Sequence, residues 1–306
     1  MNATHTDHPS PRFGAHVSIA GGVHKALETA FALRMDCMQI FVKNQRQWAA
    51  PPLDAAHVGR WHELLARPGF GPVVAHATYL INLATADRSL AGRSKQALTD
   101  ELLRCQTLHI PYLVVHPGAA GQQPVSRALR RVARALDAIL TRHADLTVMP
   151  LLETTAGQGT SLGRSFAELG EIIGQMRCGR RVGVCLDSCH LFAAGYDLRD
   201  AAAYEQMVAE AHREVGLERI RCWHLNDSRH PCGSNRDRHE HVGHGAIGTR
   251  GFRHIVADTR FAGLPMILET PKGTTDSAED WDRVNLRTLR RLARSARRSR
   301  ARNADR

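Results

Sequence analysis

Short apolar runs alternate with longer amphipathic stretches along most of the chain. Eight of the apolar runs contain few polar positions, which is typical of parallel strands buried on both faces. We predict strands over residues 13–17, 37–42, 72–76, 112–116, 147–153, 182–187, 220–225 and 265–269. Apolar residues at helical spacing follow each run, and they predict helices over 23–34, 53–66, 89–108, 125–142, 166–176, 201–215, 251–259 and 278–294.

This alternation predicts consecutive parallel βα units. An open, doubly wound sheet is the alternative, but eight units in 306 residues favour closure into a single (β/α)8 TIM barrel. We assign the barrel to residues 12–294, preceded by a polar segment at 1–11 and followed by an arginine-rich tail at 295–306, which we expect to be disordered. Two long polar loops, 44–52 and 226–248, interrupt the pattern, and such loops in compact domains are usually functional.

The formal net charge of +11 is concentrated at one end of the chain. The last 20 residues hold nine arginines and one aspartate, so they carry +8 and leave +3 for the other 286 residues. The tail could bind a polyanion, and a solvated terminus is the equal alternative. No apolar run approaches the roughly 20 residues that span a bilayer, and residues 1–11 contain no hydrophobic signal core. We therefore expect a cytoplasmic protein without membrane contact.

Several site types are absent from the sequence. The seven cysteines are odd in number and contain no C-x-x-C pair, which disfavours a structural zinc ribbon or a disulfide framework. The glycine pattern at 157–159 is too short for a dinucleotide fingerprint, and there is no phosphate-binding P-loop. We expect no nucleotide cofactor.

The positive evidence lies at the ends of the predicted strands. Strands three to eight each finish with an imidazole or a carboxylate, namely His76, His116, Glu153, Asp187, His224 and Glu269. In a closed parallel barrel all strand C-termini lie at one face, so these side chains should converge. Because buried neighbouring carboxylates are costly without cations, the pattern indicates metal ions.

Three further residues extend this set. His190 lies three residues after Asp187, so a helical turn would place both on one face. Asp237 and His239 alternate, so an extended segment would point them the same way. Nine candidate ligands suit two or three ions with a bridging carboxylate, and imidazole plus carboxylate suits Zn²⁺ or Mn²⁺. Any single one of them is more often a hydrogen-bonded structural residue. The joint pattern indicates a multi-metal centre, which suits phosphodiester hydrolysis.

At this point the sequence resembles the endonuclease IV type of apurinic/apyrimidinic (AP) endonucleases, which act in DNA base-excision repair. The resemblance covers residues 13–272. It rests on Phe-Gly-Ala-His-Val-Ser at 13–18, Lys-Asn-Gln-Arg-Gln-Trp at 43–48, Tyr-Leu-Ile-Asn at 79–82, His-Pro-Gly at 116–118, Thr-Ala-Gly-Gln-Gly at 155–159, Val-Gly-Val-Cys-Leu-Asp-Ser-Cys-His at 182–190, His-Leu-Asn-Asp at 224–227, Asp-Arg-His at 237–239 and Leu-Glu-Thr-Pro-Lys at 268–272.

The resemblance implies a barrel that holds three Zn²⁺ ions, with Mn²⁺ as an alternative at one site. We expect the protein to be a monomer. The matching ligands are His76, His116 and Glu153 for the first ion, Glu153, Asp187, His224 and Glu269 for the second, and His190, Asp237 and His239 for the third. Glu153 is the bridging and catalytic carboxylate. The implied substrate is double-stranded DNA with abasic sites, cut on the 5′ side to leave a 3′-hydroxyl and a 5′-deoxyribose phosphate. Trimming of blocked 3′ ends is also implied.

The resemblance assigns DNA contacts to Arg46, Gln47 and Tyr79, which match side chains that enter the minor groove and fill the gap left by the extruded nucleotide. A planar guanidinium and an aromatic ring are suitable wedges against base faces. From the residues alone, Tyr79 reads as an ordinary exposed loop aromatic. Two positions depart from the family pattern: Ala77 replaces a polar residue, and Thr154 stands where Asn is frequent.

Two other functions fit parts of the sequence. A metal-dependent sugar isomerase on a related barrel would need two metals, but not His76, His116, His190 and His239. A non-catalytic DNA- or polyanion-binding protein would explain the tail. Cleavage of an abasic duplex would exclude both alternatives.

Overall fold

The structure is a computed structural model that describes residues 10–304, with side chains described for residues 10–298. Eight parallel strands lie in one sheet. They are β1 (Arg12–Ala15), β2 (Met38–Phe41), β3 (Val73–His76), β4 (Tyr112–Val115), β5 (Met149–Glu153), β6 (Gly183–Asp187), β7 (Ile220–His224) and β10 (Pro265–Leu268). A short antiparallel pair, β8 (Asp227–Ser228) and β9 (His239–Glu240), lies in the loop after β7.

Helices connect the strands and cover the outside of the sheet. They are α1 (Val23–Ala32), α2 (Ala55–Leu65), α3 (Arg88–Thr107), α4 (Val125–Arg142), α5 (Phe166–Gly174), α6 (Ser188–Ala194), α7 (Ala201–Glu214), α8 (Gly248–Ala257) and α9 (Trp281–Ala304). Among the described residues, no helix combines the length and apolar character that crossing a bilayer requires.

The predicted (β/α)8 barrel is confirmed. The strand order β1-β10-β7-β6-β5-β4-β3-β2 leaves β1 and β2 as the two ends of the sheet. They meet through a parallel bridge between His16 and Gln39, and the Val17 amide donates to the Gln39 carbonyl at 2.8 Å. Gly14 permits this approach, because a Cβ there would lie 2.0 Å from the Cys37 carbonyl oxygen. The sheet is thus nearly closed.

Two apolar layers hold the barrel together. Inside it, a small cluster of buried side chains fills the space below the strand ends: Cys37, Val74, Val114, Leu151, Cys185, Cys222 and Ile267. Outside it, the apolar faces of the helices pack on the sheet in one large cluster. Both strand faces are therefore buried, which explains the nearly continuous apolar runs.

The C-terminal segment differs from the expected disordered tail. Helix α9 continues to Ala304, so residues 295–304 are helical. Leu286, Leu289 and Leu292 anchor the first half of the helix in the core, and arginine, a good helix former, carries it further. Arg297 donates to the Ser10 hydroxyl at 2.5 Å. Residues 1–9 of the predicted polar segment and residues 305–306 of the tail lie outside the described part.

Candidate metal centre

The strand ends bring the predicted ligands to one face of the barrel. His76, Glu153, Asp187 and His224 are the last residues of β3, β5, β6 and β7. His116 and Glu269 directly follow β4 and β10. Helix α6 begins immediately after β6, and Asp187 caps it by accepting from the His190 amide at 2.7 Å. This turn directs His190 back to the same face, as the three-residue spacing predicts.

Glu153 lies at the middle of the cluster and is fully buried. Its Oε2 is 3.1 Å from Nε2 of His76 and 2.9 Å from Nε2 of His116. Its Oε1 is 2.9 Å from Nδ1 of His224 and 3.4 Å from Nδ1 of His190. One carboxylate thus faces imidazoles from four different elements, which is the position a bridging ligand would occupy.

Imidazole nitrogens and carboxylate oxygens gather in three groups without cysteine, and within each group these atoms lie within 4.8 Å of one another. These groups are His76, His116 and Glu153; Glu153, Asp187, His224 and Glu269; and Asp187, His190 and His239. Asp237 adjoins the third group, because its Oδ2 is 3.1 Å from Nε2 of His190 and its Oδ1 is 3.3 Å from Nε2 of His239. All nine predicted ligands therefore lie together, and their role as ligands stays a prediction.

Hydrogen bonds at the outer ring nitrogens orient the imidazoles. Nδ1 of His76 donates to the Ala77 carbonyl at 2.7 Å, and Nδ1 of His190 donates to the Thr154 carbonyl at 2.8 Å. His239 uses the Glu269 carbonyl at 3.2 Å in the same way. In each ring this leaves Nε2, with its lone pair, directed into the cluster, which is how proteins usually prepare a histidine for metal binding.

His224 is oriented in the opposite sense, with the same result. Its Nε2 donates to the Gln39 side-chain oxygen at 2.8 Å, so Nδ1 faces Glu153 and also Glu269, the latter at 3.2 Å. If these imidazoles are neutral, their lone pairs point at carboxylate oxygens, and because both are acceptors, a proton or a metal cation has to lie between them. Burial alone would lower the pKa of His224, but Glu269 and Glu153 raise it well above its usual value, so this position favours a positive charge.

Two observations test whether metal ions suit this centre. Nε2 of His239 is buried without a hydrogen-bond partner among the described residues, although carboxylates surround it. Burial alone would lower the pKa of His190, but Asp187, Asp237 and Glu153 raise it well above its usual value. Burial would likewise raise the pKa of Glu153, but His116 and His224 hold it well below its usual range. The cluster therefore attracts positive charge, and the residues fit divalent ions.

Sequence analysis did not identify the residues that support the ligands. The Gln39 amide donates to Glu269 Oε1 at 2.5 Å and also contacts Nδ1 of His16 at 3.0 Å. The Asn226 amide donates to Asp187 Oδ2 at 2.6 Å, and its oxygen accepts from the Glu269 backbone amide at 2.7 Å. Gln39 lies on β2, a strand that does not end in a candidate ligand. A polar residue within this apolar run was the one sequence feature that could have indicated a role for Gln39.

The two departures from the family pattern have local explanations. Ala77 supplies its backbone carbonyl to His76, so its side chain is not needed there. The Thr154 hydroxyl accepts from the Asp187 amide at 2.9 Å, and the Thr154 carbonyl accepts from His190. Thr154 therefore holds two candidate ligands in place.

Thiols lie closer to the cluster than the sequence indicated. Cys185 and Cys222 form a close group with His224, and Cys189 forms one with Asp237 and His239. Burial, with a contribution from Asp187, raises the pKa of Cys189 to about 12, and burial raises that of Cys185 well above its usual value. Because the thiolate is the ligand form, Cys185 and Cys189 are poor donors at this centre. Burial alone would raise the pKa of Cys222, but the neighbouring Cys185 and His224 lower it to about 7.

The three predicted DNA-contacting residues lie at the mouth of the cluster or on a loop joined to it. The Tyr79 ring is 59% exposed and its centroid lies 5.2 Å from that of His76 and 5.8 Å from that of His116. Arg46 and Gln47 are exposed on the loop after β2. The Thr78 hydroxyl donates to the Gln45 carbonyl and so connects the two loops.

A buried ion pair lies beneath these loops, and sequence analysis did not identify it. The Lys43 ammonium contacts Glu101 Oε1 at 3.3 Å and donates to the Trp48 carbonyl at 2.9 Å. Glu101 accepts from the Thr78 amide at 3.1 Å. Both charged side chains are 1% exposed. One ion pair, between the end of β2 and α3, thus holds both the 44–52 loop and the loop of Tyr79.

Comparison with known proteins gives a consistent result. A family model described as a xylose isomerase-like TIM barrel matches residues 27–292. A Chloroflexus aggregans protein named probable endonuclease 4 is 51% identical over 284 residues, which cover 93% of this chain and 98% of that protein. A Halorhodospira halophila protein of the same name is 44% identical over 273 residues, covering 89% and 92%.

Similar solved structures differ widely in their sequence identity to this chain. Endonuclease IV from Thermus thermophilus is 36% identical, has a TM-score of 0.82, and is matched over 93% of this chain and 100% of its own. A D-tagatose 3-epimerase-like protein has a TM-score of 0.71 at 19% identity, covering 94% and 99%. At that identity the second likeness shows the fold alone.

Proposed function

The chain belongs to the endonuclease IV family of xylose isomerase-like TIM barrels, and from this premise we propose that it cuts double-stranded DNA on the 5′ side of abasic sites at a trinuclear zinc centre. The products would be a 3′-hydroxyl and a 5′-deoxyribose phosphate, and the same centre would trim blocked 3′ ends. The observation that carries the proposal is the convergence of nine imidazoles and carboxylates on one cluster around the buried Glu153.

Three sets of residues would hold the ions. They are His76, His116 and Glu153; Glu153, Asp187, His224 and Glu269; and His190, Asp237 and His239. When bound, divalent ions at such a centre acidify water and offset charge on both the attacking and the leaving oxygen of a phosphodiester. Mn²⁺ is an alternative to Zn²⁺ at one position, because both accept imidazole and carboxylate ligands.

The depth of the cluster favours an extruded nucleotide as substrate. Glu153 is fully buried, while His116 is 31% exposed at its side chain and marks the open side. Because Glu153 is buried below the more exposed His116, the nucleotide would leave the helix to bring its phosphodiester to the centre. Extrusion costs least where a base is missing. Tyr79, Arg46 and Gln47 would occupy the gap and offset the lost stacking.

The proposal is tested with a duplex that contains one abasic analogue. Purified protein loaded with zinc should nick the strand on the 5′ side of the analogue, and elemental analysis should give three zinc ions per chain. Glu153→Gln should abolish nicking, because an amide cannot bridge two cations. Glu63→Gln, which changes an exposed carboxylate on α2, is the matched control and should nick normally.

Two outcomes would contradict the proposal. Comparable nicking by Glu153→Gln would remove that carboxylate from the centre. Turnover of a free ketose, with no action on the abasic duplex, would instead assign the barrel to sugar chemistry. A monomer in sedimentation and removal of a 3′-phosphoglycolate by the wild type would support the finer parts of the proposal.

A further inference from the structure

Five basic side chains line one groove on the outside of the barrel, between α3 and α4. Lys95 lies on α3, while Arg127, Arg130, Arg131 and Arg134 lie on α4. The other residues that line the groove are uncharged. This groove is separate from the metal centre and from the arginine-rich end of α9.

The arginines of α4 form a stripe that packing does not require. They occur at helical spacing of three, four and seven residues, so they share one face, and each is exposed. Leu129, Val132 and Leu136 form the opposite, buried face. Arg127 lies in the first turn, where the helix dipole disfavours a cation, and no acidic residue compensates for it there.

The charges in the groove are not neutralised. Among the residues whose side chains are described, the stripe makes one side-chain hydrogen bond, from Arg131 Nε to Gln123 Oε1 at 3.1 Å, and pairs with no carboxylate. Other surface arginines, such as Arg199 and Arg260, do pair with carboxylates. Five unpaired cations around one groove create a positive potential that an extended anion would satisfy.

The groove is connected to the mouth of the metal centre. Thr85 lines it and lies six residues after Tyr79, on the same loop. The side-chain oxygen of Gln123 accepts from Arg131, and its side-chain nitrogen donates to the Ala84 carbonyl at 2.6 Å. Because helices of the barrel begin at the C-terminal end of the strands, Arg127 lies at the same end as the centre.

We infer that this groove binds the sugar–phosphate backbone of the duplex that flanks the lesion, an inference that rests on the proposed function. From Arg127 to Arg134 the helix rises by about 10 Å, which is the axial length of about three base pairs of B-DNA. The contact is with phosphates, so it adds affinity and salt dependence without reading sequence.

The test compares two triple variants with the same change in charge. Arg127→Gln/Arg130→Gln/Arg134→Gln removes three charges from the groove. Arg142→Gln/Arg177→Gln/Arg180→Gln removes three exposed arginines at the opposite end of the barrel. The value of kcat/KM for nicking is measured at several salt concentrations, on duplexes with a flank of about 5 or about 20 base pairs on each side of the abasic analogue.

On the long duplex, the groove variant should lose at least about tenfold in kcat/KM, and the magnitude of its log–log salt slope should fall by about three. On the short duplex it should match the wild type, and the control variant should match it on both. Equal losses in the two variants, or none in the groove variant, would overturn the inference. Absence of nicking by the wild type would instead reject the proposed function, so the two failures are distinguishable.

Discussion

The charged side chains at the two ends of the barrel differ in the partners that they contact. At the C-terminal end, carboxylates and imidazoles face one another with their lone pairs directed inward, around a buried Glu153. At the N-terminal end, guanidiniums are satisfied by backbone carbonyls. Arg181 donates to the carbonyls of Leu140 and Leu146 at 2.6 and 2.7 Å, and Arg219 donates to that of Gly179 at 2.8 Å.

This contrast separates function from stability within one fold. The carbonyls held by Arg181 lie at and just beyond the C-terminus of α4, where the helix dipole favours a cation. That end therefore stabilises the barrel without any ligand. Under the proposed function, bound cations would complete the other end, which is the division expected in this fold. Changes at the two ends should accordingly affect different measurements.

The largest expected effect follows metal removal at the C-terminal end. A strong chelator should abolish nicking and lower the melting temperature, because ions bound to the folded chain stabilise it by about 4 kcal/mol at a thousandfold excess over Kd. Zinc should restore both properties. If the chelated protein nicked as before, the assignment of a metal centre to the C-terminal end would be wrong. Arg181→Met is the control at the other end, and chelation should affect it as it affects the wild type.

Lys43→Met tests the buried ion pair between Lys43 and Glu101 at the C-terminal end of the barrel. Unlike the metal-ligand cluster, this pair needs no ion to balance its charges. At pH 8 the variant leaves Glu101 buried without its partner, so the free energy of unfolding should fall by about 3–5 kcal/mol. The KM for nicking should rise more than kcat falls, since the two recognition loops lose their common support. Lys25→Met, at an exposed ion pair on α1, should change stability by less than about 1 kcal/mol. Similar effects of both variants would contradict this account.

Glu101 also gives that pair a pH dependence. Burial raises its pKa from 4.5 to about 7, although Lys43 opposes the shift. Between these values the folded chain keeps a proton that the unfolded chain has lost, so this carboxyl contributes stability that disappears as pH rises through the window. The loss amounts to up to about 3 kcal/mol. In denaturant titrations from pH 4.5 to 7.5, Glu101→Gln should flatten the curve, and an unchanged slope would disprove the role.

Arg181→Met examines the opposite end. Three carbonyls, of Leu140, His143 and Leu146, lose a charged donor, so the free energy of unfolding should fall by about 2–3 kcal/mol. Nicking at 25 °C should remain normal, because no candidate ligand contacts this arginine. Arg180→Met, one residue away and exposed, should be neutral within about 0.5 kcal/mol. Loss of nicking in a folded Arg181→Met protein would contradict the view that the N-terminal end contributes to stability alone.

The sequence predicted the barrel and the meeting of the strand-end residues because both follow from local patterns. Alternation of strands and helices is visible in apolar spacing, and topology alone carries His76 and Glu269 to one face. The supporting residues depend on distant pairings instead. Gln39 meets His224 across 185 positions, and Lys43 meets Glu101 across 58, so neither contact leaves a periodic signal. The length of α9 was underestimated because a run of arginines resembles a solvated tail.

Deletion of residues 299–306 should have the smallest effect on nicking. It tests whether arginines at the N-terminal end of the barrel take part in DNA binding. The second half of α9 lies at the N-terminal end of the barrel, where Arg290 donates to the Arg34 carbonyl and Arg297 to Ser10. The deletion removes three arginines and one aspartate. The salt slope of nicking should nevertheless change by less than about one, because the described part of α9 leads away from the metal centre. A change as large as that of the α4 variant would mean that DNA wraps towards the far end of the barrel.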